Sequence, residues 1–376
     1  MRYLSSGESH GSALTVIIEG LPAGIRINVE IVNKDLANRQ AGFGRGERMK
    51  IETDQAEFTA GLWNGMTIGS PLTIMIRNRD WENWKDKRHG KNTVPRPGHA
   101  DLTGLLKYNA DDIQTIIERS SARETAAKVA AGSVAKIYLG QFGVKLIGHT
   151  IMMGAITAEN VPSAYAKLKS AIEKSDLRCA DANTASKMRG RIQKAIDTGD
   201  TVGGVVEVRI FGVPPGIGSY VQWDRRLEGL LAQALMAIPA VKAVEVGEGF
   251  ENAGLSGSEV HDPIYYSKEK GYYRKTNRAG GIEGGMSNGE TIICRAYLKP
   301  ISTLQNPLPT VNTKNHKGVM APYVRSDTAV IPAASVVAEA AAAWVMAVCL
   351  ADKFGGDSIK ETLRNYKGYL TQIKGR

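Results

Sequence analysis

Six histidines occur in 376 residues, and two of them stand in small, polar, turn-prone segments. His10 lies in S-S-G-E-S-H-G and His99 in R-P-G-H-A-D. Histidine is the side chain whose ordinary pKa lets it give or take a proton near neutrality. Loops held by a rigid scaffold carry much of protein chemistry. For either segment alone, a surface turn with an incidental histidine is the better reading. A second signal comes from arginine. Arg39, Arg45, Arg48, Arg96, Arg119, Arg123 and Arg325 stand singly among small or turn-forming residues, a pattern that suits several loops converging on a compact anion.

Other segments fit the same chemistry. Ser120, Ser121 and Arg123 precede a small-residue apolar run, and Ser121 with Glu124 has the S-x-x-E spacing of a capping box. Free N–H groups and the positive dipole end at such a helix start favour phosphate. Lys299-Pro-Ile-Ser-Thr303 follows an apolar run directly and could hold a second phosphate, although taken alone an ordinary turn is the better reading. The glycines between 280 and 289 would let backbone approach a flat ligand, or form a surface loop. Arg325 and Asp327 precede the longest apolar run. An acid there could cap a helix or serve as a base.

These groups need a scaffold. Apolar residues make up 43% of the chain, enough for a large core, and no apolar run in the sequence itself suggests a membrane span. The first residues lack a signal or transit pattern, so the expectation is a cytoplasmic chain. Cys179, Cys294 and Cys349 are too scattered for a disulfide framework or a zinc site. A net charge of +10 permits nucleic acid, acidic membrane surfaces or anionic metabolites, but aromatic residues are only 6% and no nucleic-acid module is present.

Strands are expected at 13–19, 24–30, 71–77, 144–153, within 201–214, at 241–246 and at 291–298. Helices are expected in the first part of 33–50, after Arg119, across 163–198 with a break near 176–181, at 223–238 and at 332–354. The last has a proline in its first turn and Gly355 as its stop. Residues 81–95 read as a basic, mobile loop. Residues 251–290 read as a long connection, of the kind that is functional or disordered. Neither a Rossmann fingerprint nor a Walker A sequence occurs. Several strands follow one another hairpin-fashion, which favours α+β over a doubly wound sheet. No linker divides the chain and no short-period repeat is visible, so 1–376 is expected to be a single domain.

G-E-S-H-G, R-P-G-H-A-D, R-S-S-A-R-E-T-A, G-G-V-V-E-V, A-V-K-A-V-E-V-G-E-G-F, G-G-I-E-G-G-M-S-N-G-E and R-S-D-T-A-V-I-P occur in this order. Together they resemble the motifs of the chorismate synthase family over essentially the whole chain. The resemblance implies a β-α-β sandwich with central helices between antiparallel sheets, and a homotetramer. It implies 1,4-anti elimination of phosphate from 5-enolpyruvylshikimate 3-phosphate to give chorismate. The family needs reduced FMN for this although there is no net redox change, and some members use NADPH as reductant. By the same match, His10 would protonate the leaving phosphate, His99 would set the protonation state of the flavin, and Asp327 would help remove the substrate hydrogen. Ser9, Arg39, Arg45, Arg48, Arg96, Arg123 and Arg325 would hold substrate. Arg39 and Arg45 would also meet NADPH. Arg119, Ser120, Ser121, Pro239, Ala240, Gly284, Lys299, Pro300, Ile301, Ser302, Thr303 and Arg325 would contact FMN. Two rival readings fit parts of the same sequence: a flavin or nicotinamide oxidoreductase, and a basic nucleic-acid-binding protein.

Overall fold

The computed structural model describes residues 1–46, 53–86, 90–323 and 327–374. The first half of the chain runs β1 (Arg2–Ser6), β2 (Ala13–Glu19), α1 (Val29–Gln40), β3 (Ala56–Ala60), a β4 (Leu62–Trp63)–β5 (Met66–Thr67) hairpin and β6 (Leu72–Arg77). Alternation sets the faces: Leu14, Val16 and Ile18 of β2 and Leu72, Ile74 and Ile76 of β6 are buried on one side. These strands form an antiparallel sheet in the order β1-β2-β6-β3. Three helices follow: α2 (Asp101–Tyr108), α3 (Gln114–Ser120) and α4 (Thr125–Gly140).

The second half runs β7 (Lys145–Met153), β8 (Ile156–Thr157), α5 (Tyr165–Glu173), α6 (Ala182–Asp197), β9 (Gly204–Phe211), α7 (Leu227–Met236) and β10 (Val241–Val246). Hairpins β11 (Ile264–Ser267)–β12 (Gly271–Arg274) and β13 (Ile282–Glu283)–β14 (Met286–Ser287) lead into β15 (Ile292–Leu298). A β16 (Pro309–Val311)–β17 (Gly318–Met320) hairpin precedes α8 (Ile331–Phe354) and α9 (Ile359–Lys374). The second sheet has the order β10-β15-β9-β7-β8 and is antiparallel throughout.

Helices α1, α4, α7 and α8 fill the space between the two sheets, so the fold is an α+β sandwich with the helices inside. Small residues permit this close stacking. A Cβ on Gly132 of α4 would come within 2.4 Å of the Ala340 Cβ of α8, and one on Gly148 of β7 within 2.1 Å of the Ser335 carbonyl oxygen. Helix α8 is long and apolar enough to cross a membrane by length and composition, but 83% of its most apolar window is buried inside the fold. Here it is a core helix.

The two halves repeat one design, with a period far too long to show as a short repeat. G-L-P-A-G-I (20–25) matches G-V-P-P-G-I (212–217), and G-L-W-N-G-M-T-I-G-S-P-L (61–72) matches G-I-E-G-G-M-S-N-G-E-T-I (281–292). The bonds match as well. Thr67 Oγ1 donates to the Pro22 carbonyl at 2.7 Å and accepts from Ile25 N–H at 2.9 Å. Ser287 Oγ donates to the Pro214 carbonyl at 2.6 Å and accepts from Ile217 N–H at 2.9 Å. Asn64-Gly65 and Gly284-Gly285 both turn their hairpins with positive φ, as tight two-residue hairpin turns require.

Several expectations need correction. Residues 24–30 are not a strand: Gly24 has φ +88, Asn28 caps α1, and β2 pairs instead with β1 and β6. The Thr67 hydroxyl takes up backbone groups that a strand would have needed. The Ser121–Glu124 capping box does not form. Ser121 N–H closes α3 on the Ile117 carbonyl, Ser121 Oγ accepts from Arg123 N–H at 3.3 Å, and Glu124 Oε1 accepts from Ser5 Oγ at 3.3 Å. Residues 251–290 form short helices and two hairpins, not an open loop. In the expected basic loop, Trp81–Trp84 is a helical turn, while 87–89 lie outside the described residues. The other strand and helix positions agree with expectation to within a few residues.

Candidate functional site

Antiparallel strands send their ends to one edge of the sandwich. β2 and β9 begin there, β6 and β15 end there, and the N-termini of α4 and α8 arrive between them. The loops at this end are tied to one another: Asn78 N–H donates to the Ser12 carbonyl, Thr201 Oγ1 to the Ile301 carbonyl and Thr328 N–H to the Gly44 carbonyl.

The first cluster centres on His10, in the β1–β2 loop. Its Nδ1 lies 2.8 Å from Glu118 Oε1, and its backbone N–H donates to Glu118 Oε2 at 2.8 Å. Its ring stacks on Trp84 with centroids 3.7 Å apart. Ser9 Oγ donates to Ser121 Oγ at 3.1 Å. Arg119, in the last turn of α3, donates to the carbonyls of Gly7 and Ser5 and so pins the end of β1. Ser120 closes α3 next to it. Burial pushes Glu118 upward most strongly, but hydrogen bonds from His10 and Gln114 together hold it below the usual glutamate value.

The second cluster is a buried carboxylate shared by two guanidinium groups. Asp54 Oδ2 lies 2.6 Å from Arg39 Nη2, and its Oδ1 lies 2.6 Å from Arg123 Nη1. Arg123 Nε donates to Asn78 Oδ1 at 2.8 Å, and Asn78 Nδ2 donates to the Gly11 carbonyl at 2.6 Å, next to His10. Burial lowers Arg39 from the usual arginine value, with Asp54 opposing the shift and Arg123 adding to it. Arg39 Nε is buried with no acceptor among the described residues. Nearby, Arg45 Nη1 lies 2.8 Å from Asp327 Oδ2, and Gly46 N–H donates to Asp327 Oδ1 at 2.6 Å.

The third cluster surrounds His99. Its Nε2 lies 3.2 Å from Thr303 Oγ1. Lys299 Nζ donates to the Gly98 carbonyl at 2.7 Å, as Ser302 Oγ does at 3.2 Å. A Cβ on Gly98 (φ +75) would lie 2.8 Å from Ser302 Oγ, so only glycine fits this approach. Arg96 forks onto Asp101, Nε to Oδ2 at 2.8 Å and Nη2 to Oδ1 at 3.0 Å. Burial, then the Arg96 charge, lowers His99 below the ordinary histidine value, with Asp101 opposing. Thr303 and Asp327 line one narrow cleft, which joins this cluster to the Arg45 pair.

Pro239 and Ala240 follow α7, and the Ala240 carbonyl accepts from Lys299 N–H at 3.0 Å. Pro300 and Ile301 complete the same turn. Gly284 is not brought to these groups. It sits at the β13–β14 turn next to the start of α7, and β15 carries the chain about 20 Å from there to Lys299. Arg48 and Arg325 lie outside the described residues. Sequence reasoning missed Asp54, Asn78, Trp84 and Glu118. Asp101 was within the R-P-G-H-A-D segment and could have been paired with Arg96 by its spacing. A cavity of about 230 Å³ lined by Met1, Tyr138 and Gly355 lies at the opposite end, away from these groups.

This sandwich, with polar and cationic groups gathered at one end, is that of an enzyme, and comparison with known proteins makes it a lyase. A family model described as chorismate synthase matches residues 1–351. Chorismate synthase of Symbiobacterium thermophilum is 48% identical, with 100% of both chains covered. That of Pelobacter propionicus is 50% identical, covering 100% of this chain and 99% of the relative. A crystal structure of chorismate synthase superposes with a TM-score of 0.83 at 38% identity, covering 100% of this chain and 98% of that one. The chain belongs to the chorismate synthase family, whose reaction ends the shikimate pathway. That makes it an enzyme of small molecules and sets the nucleic-acid reading aside.

Proposed function

We propose that the chain eliminates phosphate from 5-enolpyruvylshikimate 3-phosphate to give chorismate, using reduced FMN without net redox change. The observation that carries this reading is the single carboxylate of Asp54 shared by Arg39 and Arg123 beside a histidine loop. A substrate with two carboxylates and a phosphate suits such a concentration of guanidinium groups.

The residues present fit a flavin phosphate. Lys299 and Ser302 meet around the Gly98 carbonyl, and Ser121 presents a hydroxyl where the α4 segment begins. Arg119, Ser120, Pro239, Ala240 and residues 299–303 would hold FMN, with Arg325 as the remaining proposed contact, while Gly284 stands apart from them at the β13–β14 turn. Reduced FMN, when bound, supplies electron density to the substrate for the time the phosphate takes to leave. The protein's own groups do the rest. Arg39, Arg45, Arg48, Arg96, Arg123 and Arg325 hold the substrate anions and stabilise the departing phosphate, the kind of electrostatic contribution that often dominates catalysis. His10 gives the phosphate its proton. His99, kept neutral by burial and by its cationic neighbours, controls the proton state beside the cofactor. Asp327, oriented by Arg45 and Gly46, assists in taking the ring hydrogen. NADPH would meet Arg39 and Arg45 if the chain reduces its own flavin. Residues 1–376 act as one functional unit, and the assembly is a homotetramer.

Anaerobic incubation with substrate and photoreduced FMN tests the reading: phosphate and chorismate should appear in equal amounts. A second tube with NADPH and oxidised FMN tests self-sufficiency. NADPH consumed in proportion to product would instead identify an oxidoreductase, and no phosphate in either tube would refute the elimination.

A further inference from the structure

We propose that Glu118 is a positioning residue for His10, fixing which ring nitrogen exchanges a proton with substrate. This rests on the reading of His10 as the acid that protonates the leaving phosphate. One carboxylate grips the same residue twice, with Oε1 at the ring Nδ1 and Oε2 at the backbone N–H, each at 2.8 Å. Two further bonds fix the carboxylate and its helix. Gln114 Nε2 donates to Oε1 at 2.6 Å, and Ser9 N–H donates to the Glu118 carbonyl at 2.8 Å. Trp84, stacked at 3.7 Å, restrains the ring plane. The β1–β2 loop is thereby fastened to α3 at the histidine itself, across 108 positions of sequence.

An ionised carboxylate only accepts hydrogen bonds. With Glu118 at its side, Nδ1 carries hydrogen whether the ring is neutral or cationic. The exchangeable proton is therefore the one on Nε2. In the elimination, the Nε2–H bond breaks and an O–H bond forms on the phosphate. That phosphate oxygen keeps the electron pair of the breaking C–O bond. The ring is left neutral, with its hydrogen on Nδ1, ready to be recharged from solvent. A histidine with the wrong tautomer would present a donor where an acceptor must be regenerated, the fault that a lost orienting carboxylate causes in hydrolytic triads.

Glu118→Gln tests this with little change of shape. Nitrogen-15 NMR of histidine-labelled holoenzyme reads the tautomer of neutral His10. The wild type should be Nδ1–H, and the variant should shift toward Nε2–H as the new amide donates to Nδ1. kcat should fall about 10²- to 10⁴-fold, with the substrate KM and FMN affinity nearly unchanged. Glu118→Asp keeps a carboxylate, and should keep the Nδ1–H tautomer and recover part of the lost kcat. An Nδ1–H tautomer retained in Glu118→Gln, or equal kcat in the Asp and Gln variants, would overturn the proposal. His10→Ala separates the two levels. Normal turnover there would refute the acid role, while the tautomer measurement would still decide what Glu118 does.

Discussion

Two of the buried charge clusters among the described residues are built in different ways. At the centre of the sandwich, Lys136 Nζ lies 2.7 Å from Asp35 Oδ2 and 2.6 Å from Glu339 Oε1, and Arg178 lies 3.5 Å from Glu339 Oε2. Two cations meet two anions there, and the Ser133 hydroxyl and Gly148 N–H donate to the same oxygens, Asp35 Oδ2 and Glu339 Oε2. The cluster joins α1, α4, α8 and β7. Burial alone would lower Lys136, but Glu339 and Asp35 raise it well above the usual lysine value. At the edge, Arg39 and Arg123 share one carboxylate, Asp54, and Arg39 is lowered rather than raised. A balanced cluster fastens elements together. A cluster richer in cations than anions is costly without a ligand and suits an incoming anion. The difference separates scaffold from site without reference to any motif.

The largest effects should come from breaking each cluster. Asp54→Ala and Lys136→Met should each destabilise by about 3–5 kcal/mol, because each leaves buried charge without its partner. They should respond differently to added inorganic phosphate. Thermal melts of Asp54→Ala should recover in part, since two guanidinium groups then accept the anion, while Lys136→Met should not respond. Equal responses would erase the distinction.

A smaller effect follows from His99. Its folded pKa is below the unfolded value, so the unfolded chain binds more protons as pH falls through the usual histidine range. Stability contributed by neutral His99 is present above that range and lost on acidification below about pH 6.5. His99→Gln should flatten this part of the stability–pH curve, as read by denaturant melts.

Away from both clusters, Asp181 caps α6, accepting from Thr184 N–H at 3.1 Å. Chiefly this bond holds it down to about 2. Asp181→Ala should cost about 1 kcal/mol. In the wild type, the contribution should disappear as pH falls from about 4 toward 2, because the unfolded carboxylate takes its proton first. The smallest effect belongs to the exposed Arg225–Asp352 pair: Arg225→Ala should change stability by less than about 1 kcal/mol.

Much of the scaffold was legible because its code is local. Alternation gave β2 and β6, and a proline start with a glycine stop gave α8. Residues 24–30 misled because they alternate like a strand while a hydroxyl 42 positions away holds Ile25. The repeated half-design stayed hidden because its two copies stand more than half the chain apart. In the site, histidines and arginines in glycine loops stood out by type. Asp54 and Glu118 did not, because their meaning lies in partners 69 and 108 positions away. No spacing rule reaches that far.

The carboxylate-poor arginine cluster is where the substrate anion should be seated. Calorimetric titration of 5-enolpyruvylshikimate 3-phosphate into the FMN-loaded enzyme and its Arg39→Met variant tests it most directly. We expect at least about a tenfold loss of affinity, or 1.4 kcal/mol, with the fold intact. An unchanged Kd in a folded variant would mean that the cluster does not seat the substrate.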